Sequence, residues 1–221
     1  MLDLSVKLIA AIKDTRFLLK RGYNRESCVR FVGDHYLLHK IERLMLYRGV
    51  YDDEHAKKHA NKHGAINSIR GKKLAVDGYN VLITIESILL EKNLIFCDDG
   101  FVRDLSAIHG KYEQTELTKR TLKKIVDLTA SYAPKEVIFF YDAQASMSGK
   151  LASLTRIMIK EAELNGDAKA VKQADLEVLK FGEVVASSDA VLIDKAEKVI
   201  DFAEEFLKMR ELKGIVKLTE I

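Results

Sequence analysis

The chain is 221 residues long, 48% hydrophobic and 31% charged, a balance that supports a buried core and excludes a disordered chain. Charges recur every few positions, so no window supplies the roughly 18 to 20 apolar residues of a membrane helix. The start carries Asp3, Lys7, Lys13 and Asp14 and lacks a signal peptide's apolar stretch, which predicts a cytoplasmic protein.

The net charge of +3 is unevenly spread: residues 1–70 hold 14 Lys and Arg against 8 Asp and Glu, and residues 71–221 hold 22 against 25. Five of the six histidines, His35, His39, His55, His59 and His63, fall in the first part. That split predicts two functional regions. Cys28 and Cys97 lie far apart without CxxC spacing, which excludes a disulfide framework or a cysteine zinc site and predicts reduced thiols.

In residues 1–70, apolar positions at Leu4, Leu8, Ile12, Phe17 and Leu18, then Val29, Val32, Leu37, Ile41, Leu44 and Met45, fall at helical spacing. Gly22, Gly33, Gly49 and Gly64 punctuate them, so three or four helices are expected in a basic helical accessory domain. After Gly71 the period changes. LAVDGYNVL (74–82) reads as a buried parallel strand ending in an Asp-Gly-Tyr-Asn turn. A helix is expected near Glu113–Ser131, with Leu117, Thr121, Leu122, Ile125 and Leu128 on one face, and then a second buried strand, EVIFFYD (136–142), after Pro134. LASLTRIMIKEAEL (151–164) is helical, AKAV (168–171) a minor strand, and QADLEVLKFG (173–182) a short helix stopped by Gly182. EVVASSDAVLID (183–194) predicts a third strand running into a helix over 194–212, and GIVKLTEI (214–221) a closing strand. The series predicts an α/β fold over residues 71–221, a mainly parallel sheet flanked by helices, preceded by a small all-α domain over 1–70.

Ligands of open α/β sheets bind beyond the carboxyl ends of the strands, and three of those ends carry an aspartate. Asp77 closes LAVD, Asp142 closes VIFFYD and Asp189 follows VVASS, while Asp175 begins the short helix before the third strand. One such Asp is more often a turn former or helix cap. Three on neighbouring strands would repel one another unless cations lay between them, and an all-oxygen set selects Mg²⁺ or Mn²⁺ over zinc.

The motifs Val76-Asp77-Gly78-Tyr79-Asn80-Val81, Tyr141-Asp142-Ala143, Ala174-Asp175-Leu176-Glu177 and Ser187-Ser188-Asp189 occur in the order seen in PIN-like nucleases. The sequence over roughly 71–221 resembles that superfamily in its NYN branch, including YacP-type proteins. The resemblance implies a PIN-like sheet and a Mg²⁺- or Mn²⁺-dependent endoribonuclease leaving 5′-phosphate and 3′-hydroxyl ends. It implies Asp77, Asp142, Asp175 and Asp189 as catalytic metal ligands, direct or through water. Asn80, Ser187 and Ser188 are expected to touch phosphate or orient the acids. Asp194 is a further metal candidate, equally readable as the N-cap of the next helix. The implied partner is RNA, free or ribosome-associated, with no membrane involved and the oligomeric state left open. The segment 93–114 departs from the family pattern and is expected to cover the pocket or narrow substrate choice.

Position 79 is Tyr, so the paired aspartates of haloacid-dehalogenase phosphatases are absent, and neither a Gly-rich dinucleotide turn nor a Walker A sequence occurs. Two rivals stay open: a non-catalytic RNA-binding or assembly protein on a PIN-like scaffold, and a DNA-directed flap-type nuclease.

In the basic region, Arg21, Tyr23, Arg25, Arg30 and Arg48 are the candidate RNA contacts, interleaved with Tyr36, Arg43 and Tyr47. A solvated helix surface with tyrosines at the edge of the core is the plain alternative. His55, His59 and His63 step by four, as one helical face would, but no carboxylate or cysteine completes a metal shell. A pH-sensitive basic stripe facing phosphates is the preferred expectation there.

Overall fold

The structure is a computed structural model that describes residues 4–106, 112–209 and 215–221. In chain order the helices and strands are α1 (Val6–Lys20), α2 (Arg25–His35), α3 (Lys40–Gly49), α4 (Asp53–Ala60), β1 (His63–Gly64), β2 (Lys73–Asp77), α5 (Gly78–Leu89), β3 (Leu94–Phe96) and β4 (Val102–Asp104). Then come α6 (Glu116–Ser131), β5 (Glu136–Asp142), α7 (Ser148–Glu161), β6 (Gly166–Val171), α8 (Ala174–Phe181), β7 (Val184–Ala186), α9 (Ala190–Lys195), β8 (Val199–Ile200), α10 (Phe202–Lys208) and β9 (Val216–Lys217). The chain divides into two compact units, one of residues 1–61, 91–107 and 210–221, the other of 62–90 and 108–209. No described helix is long and apolar enough to cross a membrane.

The first unit holds α1 to α4, and its helices start where polar side chains take up free backbone N–H groups. Ser5 Oγ accepts from the Leu8 amide, Asn24 Oδ1 from the Ser27 amide and Asp52 Oδ1 from the amides of Glu54 and His55. The apolar faces of the first three helices meet in a core containing Leu8, Ala11, Ile12, Val32, Met45 and Leu46. Ile95, Cys97, Val216 and Leu218 belong to the same core. β3 pairs antiparallel with β4 and parallel with β9. Gly100 turns the β3–β4 hairpin at a φ of +84°, a backbone region in which glycine carries no Cβ penalty.

The second unit is α/β: a six-stranded sheet in the order β1-β8-β7-β2-β5-β6, parallel throughout and flanked by helices. β2 and β5 are buried along almost their whole length, which explains why both read as continuous apolar runs rather than alternating ones.

Several details depart from the sequence-based expectations, among them the third strand, which ends at Ala186 and is followed by helix α9 from Ala190. Residues 62–70, assigned to the helical region, join the sheet unit, where His63 and Gly64 pair with Val199 and Ile200. Gly78–Leu89 is a helix that periodicity did not reveal, because Val81, Leu82, Ile85 and Ile88 are buried along with Thr84 and Ser87, leaving little polar face to mark the period. The single helix expected over 194–212 is broken by β8, whose Val199 and Ile200 are fully buried between neighbouring strands; residues 210–212 lie outside the described ones. The closing segment adds β9 to β3 in the first unit, with Val216 opposite Ile95, rather than to the six-stranded sheet.

Candidate active site

Strand order brings the acids together. β7, β2 and β5 are neighbours, so Asp189, Asp77 and Asp142 stand at the carboxyl ends of three adjacent parallel strands. The register pairs Val76 with Ala186 and Asp77 with Phe140, which sets Ser187 level with Asp77 and Asp142 two residues further out on β5.

Asp77 occupies the N-cap position of α5 without capping it through its side chain. Its Oδ2 accepts a hydrogen bond of 2.9 Å from Ser187 Oγ instead. Asn80, one turn into α5, receives the next residue of the opposite strand: the Ser188 amide and hydroxyl donate to its Oδ1 at 2.8 and 3.1 Å. The Ser187 hydroxyl also accepts from the Asp189 amide at 3.0 Å. The two serines thus bind the β7 end to the start of α5. Asp189 caps α9, its Oδ1 accepting from Val191 and Leu192, and Asp142 Oδ1 accepts from the Gln144 amide in a local turn.

Burial pushes the Asp77 carboxyl up to about 7, the Ser187 hydrogen bond opposes the rise, and the charges of Asp189 and Asp175 add to it. Asp175, exposed in the first turn of α8, is also raised, by burial first and then by Asp189 and Asp142, with Lys195 opposing. The four acids therefore act on each other electrostatically, as carboxylates sharing one sheet edge must. As placed, no group of three or more His, Cys, Asp or Glu side chains among the described residues is arranged to hold a metal ion. The mutual repulsion and the missing tight cluster are compatible, because Coulomb interactions extend beyond ligand–ligand distances.

Asp194 stands apart from this arrangement in its role. It lies within α9, whose cap is Asp189, and the next helix is capped by Asp201, so the N-cap reading of Asp194 does not hold. Its carbonyl, with that of Ile193, accepts from Lys62 Nζ at the end of α9.

Sequence reasoning passed over the rings under the edge. Tyr79 packs edge-on against Tyr112 and Tyr141, at centroid distances of 5.7 and 5.4 Å, and donates to the Ser146 carbonyl. The Tyr141 ring also explains Gly78, since a Cβ there would come within 2.3 Å of it. Lys195, the cation acting on Asp175, gave no motif signal because it is one lysine among many.

Within the helical unit the candidate RNA contacts separate into two groups. Arg25 Nη1 donates to the carbonyls of Tyr47 and Val50 and its guanidinium lies 4.2 Å from the Tyr51 ring centroid. Arg48 Nη1 donates to the carbonyl and Oδ2 of Asp104. Both cations hold the unit together. Arg21, Tyr23 and Arg30 are exposed.

The histidines do not form one stripe. α4 ends at Ala60, so His63 belongs to β1, where it faces Glu204 at 3.4 Å. His55 bonds to Asp52. His59 is 1% exposed, its Nδ1 2.8 Å from Asp99 Oδ2, and so cannot face a phosphate. Arg103 completes a buried cluster, donating to both Asp99 oxygens at 2.8 and 2.7 Å. The segment 93–114 thus supplies β3, β4 and part of this cluster in the first unit; its residues 107–111 lie outside the described ones.

Residues 66–205 match a family described as a domain of unknown function, DUF5616, and residues 7–62 match one described as a protein of unknown function, DUF434. The chain belongs to the DUF5616 family. It is also 34% identical over 205 residues to an uncharacterized protein of Methanocaldococcus jannaschii, MJ0935, covering 92% of this chain and 98% of that one. No solved structure matches the chain significantly. Asp77, Asp142, Asp175 and Asp189 all fall inside the DUF5616 match, whereas α1 to α4 fall almost wholly inside the other.

Proposed function

We propose that the protein is a PIN-like, Mg²⁺- or Mn²⁺-dependent endoribonuclease of the cytoplasm that hydrolyses RNA phosphodiester bonds at the carboxyl edge of the six-stranded sheet. The observation that carries this reading is the adjacency of β7, β2 and β5, which ends Asp189, Asp77 and Asp142 side by side, with Asp175 acting electrostatically on the same group.

The donor set fits a hard divalent ion, because it offers carboxylate oxygens and no sulfur or imidazole. Asp77, Asp142, Asp175 and Asp189 would hold the ion, directly or through water. When bound, it supplies positive charge that offsets the repulsion among the acids and stabilises charge developing on the phosphate. Ser187 fixes the Asp77 carboxylate through Oδ2. Ser188 occupies Asn80 Oδ1, which leaves the amide nitrogen as the donor that Asn80 offers to a phosphate oxygen. An acidic edge alone repels RNA, so the basic helical unit would supply the grip.

The deciding experiment is cleavage of labelled mixed-sequence RNA, single- and double-stranded, by wild type and Asp77→Asn with Mn²⁺, Mg²⁺ or EDTA. Metal-dependent cutting lost in the variant supports the reading; cutting that survives Asp77→Asn in a contaminant-free preparation overturns it. The looseness of the carboxylate group favours a second reading, a non-catalytic RNA-binding scaffold. RNA bound but uncut under every metal would select it.

A further inference from the structure

On the helical unit, a groove of about 460 Å³ runs beside α2, floored by Leu18 and Cys28 and walled by Tyr23 and Phe31. Its size falls within the range of small-molecule sites. Cys28 is buried at 2% exposure, yet the two rings stand out, Tyr23 at 59% and Phe31 at 67%. Tyr23 lies just before Asn24, the N-cap of α2, and Phe31 within that helix, yet both line the one groove. A large ring exposed by two thirds on a helix whose other face already fills a core gives no stability in return.

The charge around the groove is distributed unequally in its use. Residues 16–31 contain Arg16, Lys20, Arg21, Arg25 and Arg30 against Glu26 alone. Arg16 is bound by Asp98, Lys20 by Asp53, and Arg25 by two carbonyls. Among the described residues, Arg30, which lines the groove, has no ion-pair partner, and Arg21 has only the Phe17 ring beneath it at 4.3 Å. The one acid of the lining, Asp34, is neutralised by Arg43 at 2.8 Å. The rings thus share their groove with one uncommitted guanidinium, Arg30, and a compensated carboxylate, and Arg21 lies two residues before Tyr23 in the chain.

We infer that this groove binds an unpaired RNA base between Tyr23 and Phe31, with Arg21 and Arg30 on the flanking phosphates. The inference rests on the reading of RNA as ligand and narrows it to single-stranded segments. A π-face takes any base by stacking, whereas a base inside a duplex is already stacked on its neighbours. Charge complementarity decides against an apolar peptide, which would gain nothing from two unpaired cations. Phe31 carries no signal in sequence, since it falls outside the apolar period set by Val29 and Val32.

The test uses the full chain in EDTA and a fluorescein-labelled single-stranded RNA of mixed sequence, alone or annealed to its complement. Tyr23→Leu and Phe31→Leu keep apolar bulk and remove the π-face. Each is expected to weaken single-strand binding at least about five-fold, the lower end for one base–aromatic stack, while leaving duplex binding nearly unchanged. Arg30→Ala should weaken binding and lower its salt dependence. Unchanged melting temperatures would show that these exposed substitutions leave folding intact. If wild type binds no single strand, or the ring variants bind it as well as wild type, the inference is overturned. A concentration-dependent dimer lost on Phe31→Ser would then assign the face to a second copy. Metal-dependent cleavage of the same RNA, measured in parallel, separates the failures. Cutting with an idle groove leaves the nuclease reading standing, and ring-dependent binding without cutting leaves the groove standing alone.

Discussion

Ser187 Oγ donates to Asp77 Oδ2 at 2.9 Å, a bond between residues 110 positions apart that joins the ends of two neighbouring parallel strands. It fixes which oxygen of Asp77 points away from the β7 end, and it opposes the rise that burial and neighbouring acids impose on that carboxyl. Ser187→Ala removes a group that orients a proposed ligand without removing the ligand. The expected loss is about 10- to 100-fold in metal-dependent cleavage, smaller than that of Asp77→Asn. Single-turnover rates of the two variants at saturating Mn²⁺ check this, and an effect of Ser187→Ala equal to that of Asp77→Asn would contradict a positioning role.

The Asp77 carboxyl, pushed to about 7 by burial and then by Asp189 and Asp175, lies above its ordinary value near 4. Between those two values the folded chain holds a proton that the unfolded chain has released. Its stabilisation is therefore full below about pH 4 and is lost as pH rises through about 7, with an upper bound of about 4 kcal/mol. In EDTA, urea midpoints of wild type should fall from pH 5 to pH 8, and Asp77→Asn should flatten that fall. Adding Mn²⁺ at pH 8 should raise the wild-type midpoint and leave that of the variant in place. A wild-type midpoint indifferent to both pH and Mn²⁺ would argue against a strained acidic edge.

Gly78 sits where a Cβ would meet the Tyr141 ring at 2.3 Å, and that ring is fully buried, its hydroxyl bonded to Thr155. Gly78→Ala therefore overpacks the edge directly beneath Asp77, at an expected cost of about 1 to 3 kcal/mol. Chemical denaturation measures it. Should Gly78→Ala be neutral, close packing would not be the reason for glycine in the Asp-Gly-Tyr-Asn turn.

Asp99 is 0% exposed and bonded to Arg103 and His59. Burial alone would raise its carboxyl, but the Arg103 charge and the bonds from His59 and Arg103 hold it at about 2. Asp99→Asn leaves the Arg103 cation buried without its counter-charge and should cost about 3 to 5 kcal/mol. The depressed value means that the carboxylate's stabilisation is present above about pH 4 and is lost as pH falls toward 2. Thermal unfolding of Asp99→Asn between pH 3 and 7 should show a lower midpoint throughout and a smaller acid-side drop than wild type.

Much of this molecule was legible in its sequence. Periodicity and turn residues marked the buried strands LAVD, VIFFYD and VVA, each ending at an aspartate or just before one, because a parallel strand covered on both faces must be apolar until it leaves the sheet. The α/β class and the helical start of the chain follow from the same local patterns.

Tertiary structure decided the rest, because pairing between distant segments is chosen by complementary burial that no local window contains. It set β7 beside β2, so that Ser187 could reach Asp77, and sent Val216 to Ile95 in the other unit. It gave Arg25 two carbonyl partners and Arg48 the Asp104 carboxylate within the helical unit, and it buried His59 against Asp99. Tyr23 and Phe31 remained at the surface beside Arg30 because the core between the helices was filled by their aliphatic neighbours.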